Sequence, residues 1–179
     1  MYLFSVKKLF SQLDCDQLIN LHNSKHINKS KDIGVYSFDT SNSGYMVNLS
    51  EDINEIYEQY TKIKKAMIKI NHHLDFELGD YNNIEISVVK YTVGKVIPRH
   101  MDTNGRCTRK VAFVVSLSDP MDYGGGEFYL DVEPQKTIRK PNKGDALVIP
   151  AFYPHGVNEI TTGERYSLVV LFHGSHPFR

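Results

Sequence analysis

The sequence has no tryptophan and only two cysteines, Cys15 and Cys107, in 179 residues. Two thiols this far apart make neither a disulfide framework nor a zinc knuckle, so reduced thiols in a cytoplasmic protein are expected. Net charge is also missing, because 21 Lys and Arg balance 21 Asp and Glu. No overall field draws such a chain toward nucleic acid or an anionic membrane, and neither is expected as a partner. No apolar run approaches the roughly 20 residues of a membrane span. The opening MYLFSVKKLF places its lysines after its apolar residues, which is the wrong order for a secretory signal. Repeats, low-complexity tracts and linkers are lacking, so residues 1–179 read as one domain. Plentiful Lys, Asn and Ile without Trp suggest an AT-rich coding genome, such as that of a phage or a small marine microbe.

What is present is regular patterning. Residues 2–6 read as a short edge strand. Ser11-Gln12-Leu13-Asp14 has the form of a capping box. Cys15, Leu18, Ile19 and His22 follow at helical spacing, which predicts a helix from about Asp14 to Asn23. The polar run 22–31 is expected to be a solvated loop. Strands are expected at 33–38 and 45–50, with turn residues at 40–44 between them. Ile53, Ile56, Tyr57, Tyr60, Ile63, Met67 and Ile70 form one apolar stripe, predicting a second helix after Ser50 that packs on the back of a sheet. His72 and His73 near its end are accounted for by the helix dipole.

Beyond Gly79 the pattern turns strand-like. Strands are expected at 84–91, 95–101, 109–118, 126–131, 135–139, 144–149, 154–160 and 164–173. Turns are expected at 102–105, 119–120, 124–126, 141–144 and 162–163. Many short strands imply a sandwich or a barrel. The expected fold is mostly β with α+β dressing: a double-stranded β-helix, or jelly roll, at about 84–173. Helical support at about 11–73 would pack on the back of its major sheet.

The chemistry gathers at YTVGKVIPRHMD, residues 91–102. Positions i and i+2 of a strand share a face, so His100 and Asp102 project side by side. One imidazole and one carboxylate are two parts of the facial triad that holds non-haem Fe(II). His155 is far enough downstream for the intervening strands to return it beside them. Three protein ligands would leave positions open for a chelating co-substrate and dioxygen. Arg165 and Ser167 share a face of the next apolar strand. A buried guanidinium needs an anionic partner, and its fork matches a carboxylate. Taken singly, each piece has a plainer reading. His-x-Asp is usually a surface pair, a histidine before glycine is usually a turn residue, and Arg165 is a candidate ion-pair partner of Glu159 or Glu164. His22, His26, His173 and His176 read as surface or core histidines, and Gly124-Gly125-Gly126 as a loop.

These residues, in this order, resemble the 2-oxoglutarate/Fe(II)-dependent dioxygenases, and among them the prolyl-4-hydroxylase-like group with its small bacterial and phage members. The resemblance covers about 85–173. It rests on Tyr91-x-x-Gly with His100-x-Asp102, Gly105-Arg106, Gly125-Gly126-Glu127, and His155-x-Val157 through Gly163-x-Arg165. It implies His100, Asp102 and His155 as catalytic iron ligands, and Arg165, Ser167 and Tyr91 as the 2-oxoglutarate seat. Phe113 stands near the place where some relatives carry a second tyrosine. The implied cofactors are Fe(II), 2-oxoglutarate and O2, with ascorbate in addition. The implied reaction hydroxylates a peptide or protein side chain such as proline and releases succinate and CO2. The segments 102–108 and 119–126 are expected to be mobile loops over that chain. Two other readings remain open: a catalytically silent jelly-roll metal-binding module, and a cupin-like metalloenzyme that does not use 2-oxoglutarate. Arg165-x-Ser167 speaks against both, since neither needs a carboxylate clamp.

Overall fold

The computed structural model describes residues 2–28, 45–104, 106–132 and 135–178. The strand expected at 33–38 and the turn at 40–44 lie outside them. Two helices are followed by a run of antiparallel strands. Helix α1 spans Gln12–Asn28 and α2 spans Tyr57–Leu74, with the strands β1 (Phe4–Val6) and β2 (Tyr45–Asn48) placed before each. The remaining strands are β3 (Ile84–Tyr91), β4 (Ile97–His100), β5 (Arg109–Ser116), β6 (Tyr123–Gly125), β7 (Phe128–Val132) and β8 (Gln135–Arg139). They continue with β9 (Ala146–Pro150), β10 (His155–Val157), β11 (Ile160–Gly163) and β12 (Arg165–His173). A six-stranded sheet runs β1-β9-β5-β12-β3-β2 and a four-stranded sheet β4-β10-β7-β8, with β11-β6 as a separate ribbon. This is the expected jelly roll, and β1 is at an edge, as expected.

The central strand β12 shows how the layers form. Tyr166, Leu168, Val170 and Phe172 point to one side and join Cys15, Leu18, Ile63 and Met67 of the helices in the larger core. Val169 and Leu171 point to the other side, into a smaller core with Phe128, Leu130 and Val157 of the opposite sheet. Period-2 alternation thus sends one strand into two interiors. The helices do pack on the back of the major sheet.

Helix α1 starts as a reciprocal capping box. Asp14 N–H donates to Ser11 Oγ (3.2 Å), and Ser11 N–H donates to Asp14 Oδ2 (2.8 Å). The helix continues past the expected Asn23, through residues read as loop. No Gly or Pro stops it there, and Lys25 is tied to Asp52 (2.6 Å) and Glu55 (3.4 Å). Helix α2 starts later than expected. Asp52, Glu55 and Ile56 N–H groups donate to carbonyls three residues back, and the first four-residue bond is Tyr60 N–H to Ile56 O. Ile53 and Ile56 therefore sit in turns, although Ile56 is buried with the stripe residues Tyr60, Ile63, Met67 and Ile70.

Two predicted turns are strands. Tyr123–Gly125 and Ile160–Gly163 pair with each other, with Gly163 opposite Tyr123. Gly163 has φ +70, and a Cβ there would collide with the Asp122 carbonyl, so only glycine lets the ribbon close. Gly156 lies in β10, within the strand expected at 154–160. A Cβ there would lie 2.5 Å from Ile97 O.

Asp14 joins cap to core. Its carboxylate also accepts from Lys62 Nζ (2.6 Å) and Gln59 Nε2 (3.2 Å) of α2. Burial favours the neutral acid, but Lys62 and Ser11 outweigh it and hold the carboxyl below its usual range. Its contribution is therefore complete above the ordinary carboxylate range and is lost as pH falls through the folded-state value. Asp14→Ala should cost about 2–4 kcal/mol at neutral pH, a cap plus a charged hydrogen bond. Urea unfolding at neutral and acidic pH tests this: the gap between parent and variant should shrink on acidification, and a constant gap would refute it.

Candidate metal centre

His100 ends β4 and His155 opens β10. These strands are antiparallel neighbours, and the two histidines are direct cross-strand partners. Their ring centroids are 4.4 Å apart. Asp102 follows β4 and lies between them, with Oδ1 3.5 Å from His100 Nε2 and Oδ2 3.3 Å from His155 Nε2. The three donor atoms lie within 4.8 Å of one another and could hold a metal ion.

Each ring is oriented by a local carbonyl two residues back. His100 Nδ1 is 2.9 Å from Pro98 O, and His155 Nδ1 is 2.8 Å from Tyr153 O. A carbonyl can only accept, so both Nδ1 atoms carry the proton in the neutral rings and both Nε2 lone pairs face Asp102. Without a metal, burial would lower His100, but the Asp102 carboxylate and the Pro98 carbonyl outweigh it and raise its pKa. His155 goes the other way: burial dominates, Asp102 only partly opposes it, and the neighbouring His100 adds to the lowering. Burial would raise Asp102, but both histidines and Arg109 hold it below the usual carboxylate range.

Arg165 opens β12 and is 2% exposed. It is the cross-strand partner of Tyr91, and its guanidinium lies 4.9 Å from the Tyr91 ring centre. The suggested ion pairs do not form: Glu164 binds Lys90 (2.7 Å), and no acidic side chain among the described residues pairs with Arg165. Arg165 Nε and Nη1, Ser167 Oγ and Tyr123 Oη are buried without a hydrogen-bond partner among the described residues. Such unmet donors are costly, so the group is built for a polar ligand. One guanidinium and two hydroxyls suit a carboxylate, the chemistry of the distal end of 2-oxoglutarate.

Phe113 does not line this place. It belongs to the helix-side core, because β5 turns its odd residues outward. The hydroxyl comes instead from Tyr123, on the β6–β11 ribbon, where the sequence predicts a loop. The Asp-Tyr-Gly-Gly-Gly spelling hid it, although an aromatic before a glycine run is a signal of close packing: a Cβ at Gly126 would strike Ile160 and the Tyr123 ring. Of the other histidines, His22 is buried edge-on to Tyr166 (5.6 Å). His173 contacts Glu85, and His72, His73 and His176 are exposed. The side chain of His26 lies outside the described residues.

A jelly roll that brings two histidines and a carboxylate together, with a buried arginine on its strand β12, has the donor set of the non-haem iron oxygenase class of site. Residues 86–173 match the family model described as the 2OG-Fe(II) oxygenase superfamily. A PKHD-type hydroxylase of Idiomarina loihiensis is 30% identical over 87 residues, which are 47% of this chain and 39% of that protein. One of Prochlorococcus marinus is 35% identical over 71 residues, 37% of this chain and 31% of that protein. The chain thus spans well under half the length of these curated relatives. A Pseudomonas putida prolyl-4-hydroxylase shares the fold with TM-score 0.77 at 18% identity, covering 96% of this chain and 92% of that one. A viral collagen prolyl hydroxylase of Paramecium Bursaria Chlorella virus-1, solved as a 2OG complex, does so with TM-score 0.72 at 20% identity, covering 97% and 96%.

An NMR titration of the metal-free protein should show His100 protonating above, and His155 below, the ordinary histidine value. Asp102→Asn should bring His100 down. Equal midpoints for the two rings in the parent would contradict this geometry.

Proposed function

We propose that this protein is a 2-oxoglutarate- and Fe(II)-dependent hydroxylase acting on a peptide or protein side chain such as proline. It would work as one domain over residues 1–179, in the cytoplasm. The observation that carries the reading is the buried Arg165 guanidinium without an anion, inside the same barrel as the His100, Asp102 and His155 trio. The names of the relatives and of the fold neighbours support hydroxylation, and the two free cysteines agree with a reducing compartment.

In this reading His100 Nε2, His155 Nε2 and one Asp102 oxygen would hold the iron. Bound Fe(II) with 2-oxoglutarate and O2 supplies the oxidising chemistry, in which succinate and CO2 are released and one oxygen atom enters the substrate. The chain itself binds, orients and excludes water. Arg165 grips the distal carboxylate as a fork, with Ser167 and Tyr123 donating to its free lone pairs. Tyr91 fixes the guanidinium plane through its ring face. Val89 and Ile160 pack with Tyr91 and Tyr123, and this apolar surface strengthens each charged contact. Ascorbate would serve as the external reductant that keeps the metal ferrous. A silent metal-binding module, or a cupin-like enzyme without 2-oxoglutarate, leaves Arg165 without a purpose.

Titrating 2-oxoglutarate into anaerobic Fe(II) protein and following the metal-to-ligand charge-transfer band tests this directly. Arg165→Ala should lose about 2–5 kcal/mol of co-substrate affinity while iron stays bound. Arg165→Lys should recover part of that loss, and Ser167→Ala or Tyr123→Phe should each cost about 1 kcal/mol. No band in the fully metallated parent, or equal affinity in parent and Arg165→Ala, would overturn the assignment. For the substrate, succinate release should respond to proline-containing peptides and not to free amino acids or nucleotides. Turnover of a free small molecule alone would defeat the peptide reading.

A further inference from the structure

Asp102 lies two residues beyond the end of β4, so no strand ladder continues through it. Its main chain is held at both its N–H and its C=O, and Cys107 Sγ also lies 4.0 Å from the C=O oxygen. Its N–H donates to Ala151 O (2.9 Å), and its C=O accepts from Arg109 Nη1 (3.2 Å). Arg109 is itself held by Glu85, with Nε on Oε1 (2.8 Å) and Nη2 on Oε2 (2.6 Å). His173 Nε2 lies 2.9 Å from the same Oε1, and Thr108 Oγ1 lies 2.8 Å from His173 Nδ1. Strands β3, β5 and β12 thus contribute a continuous chain of side chains. It ends on the peptide that carries the carboxylate of the trio.

We propose that Arg109 is a positioning residue for Asp102, and that Glu85, backed by His173 and Thr108, fixes Arg109 in that role. The inference rests on reading His100, Asp102 and His155 as metal ligands. A guanidinium has a rigid fan of donors. With Nε and Nη2 committed to Glu85, Nη1 can point only where the Glu85 pair aims it, and that is the Asp102 carbonyl. A half-exposed Arg–Glu pair taken alone would be an ordinary surface ion pair of small effect. The third donor makes the difference, because it couples a side chain anchored in the major sheet to a residue outside the strand ladder. Partners of this kind set the orientation of a ligand and typically alter metal affinity tenfold to a hundredfold when removed.

The probe is Co(II), titrated into the full metal-free chain and followed by its d–d absorption, with the melting temperature of each metal-free variant measured alongside. Arg109→Gln should weaken Co(II) binding by about tenfold to a hundredfold. Arg109→Lys should recover only part, since one ammonium cannot hold both Glu85 oxygens and the carbonyl in one plane. Glu85→Gln should weaken binding in the same direction by a smaller factor. A purely structural pair would instead lower the melting temperature and leave Co(II) affinity at the parent value, and that result overturns the proposal. Should Arg109→Gln fail to fold, Glu85→Gln decides by the same criterion. Asp102→Asn separates the two layers of the argument. If it binds Co(II) like the parent, the metal reading itself fails and the inference falls with it. If it loses Co(II) while folded Arg109→Gln does not, only the positioning role fails.

Discussion

A strand buried on both faces must satisfy two interiors at once, and β12 is placed under that constraint. One side of it needs apolar bulk for the helices. The other side runs from Leu171 and Val169 at the apolar middle of the barrel to Ser167 and Arg165 at the polar end. The two demands cannot be exchanged, because a shift of one residue would push Phe172 into the barrel and Arg165 into the helix-side core. Register along β12 is therefore pinned from both sides. Its neighbours β3 and β5 are fixed to it over nearly their full length. Tyr91 opposite Arg165 is a product of that register.

The same logic explains what could be read in the sequence. The alternation of RYSLVVLFH and the spacing of His100 and Asp102 are local, and local patterns survive folding. Arg165 and Ser167 were legible as one strand face for that reason, whereas His155 depended on distant strands returning beside His100, and Tyr91 entered only through the family resemblance. Phe113 and Tyr123 were not separable in this way. Both are aromatic, and which one turns toward the barrel depends on β5 facing outward at odd positions and on a ribbon that exists only once 123–125 meets 160–163. The glycines there spell a loop to any local rule, yet their job is close backbone approach. Likewise the far end of α1 is held by Lys25 on Asp52 and Glu55, a contact no helix propensity can announce.

Electrostatically the barrel end is divided. Asp102 is shared by two imidazoles, while the Arg165 guanidinium meets the face of Tyr91 and no acidic side chain among the described residues. The first group is already partly neutralised within the protein. The second is not, and it carries the stronger demand for a ligand. A protein that keeps such a charge out of water forgoes stability for binding, a trade expected of sites and rarely of scaffolds.

The carbonyls of Pro98 and Tyr153 carry one more implication. Each chooses the tautomer of its own histidine across a single intervening residue, so the choice is inherited with the tripeptide and not with the tertiary fold. Drift elsewhere in the chain can move either ring as a body, but it does not change which nitrogen that ring offers. The grammar of the donor atoms is in this sense written twice over in the short words PRH and YPH, and the large β architecture only decides how near those words stand to each other.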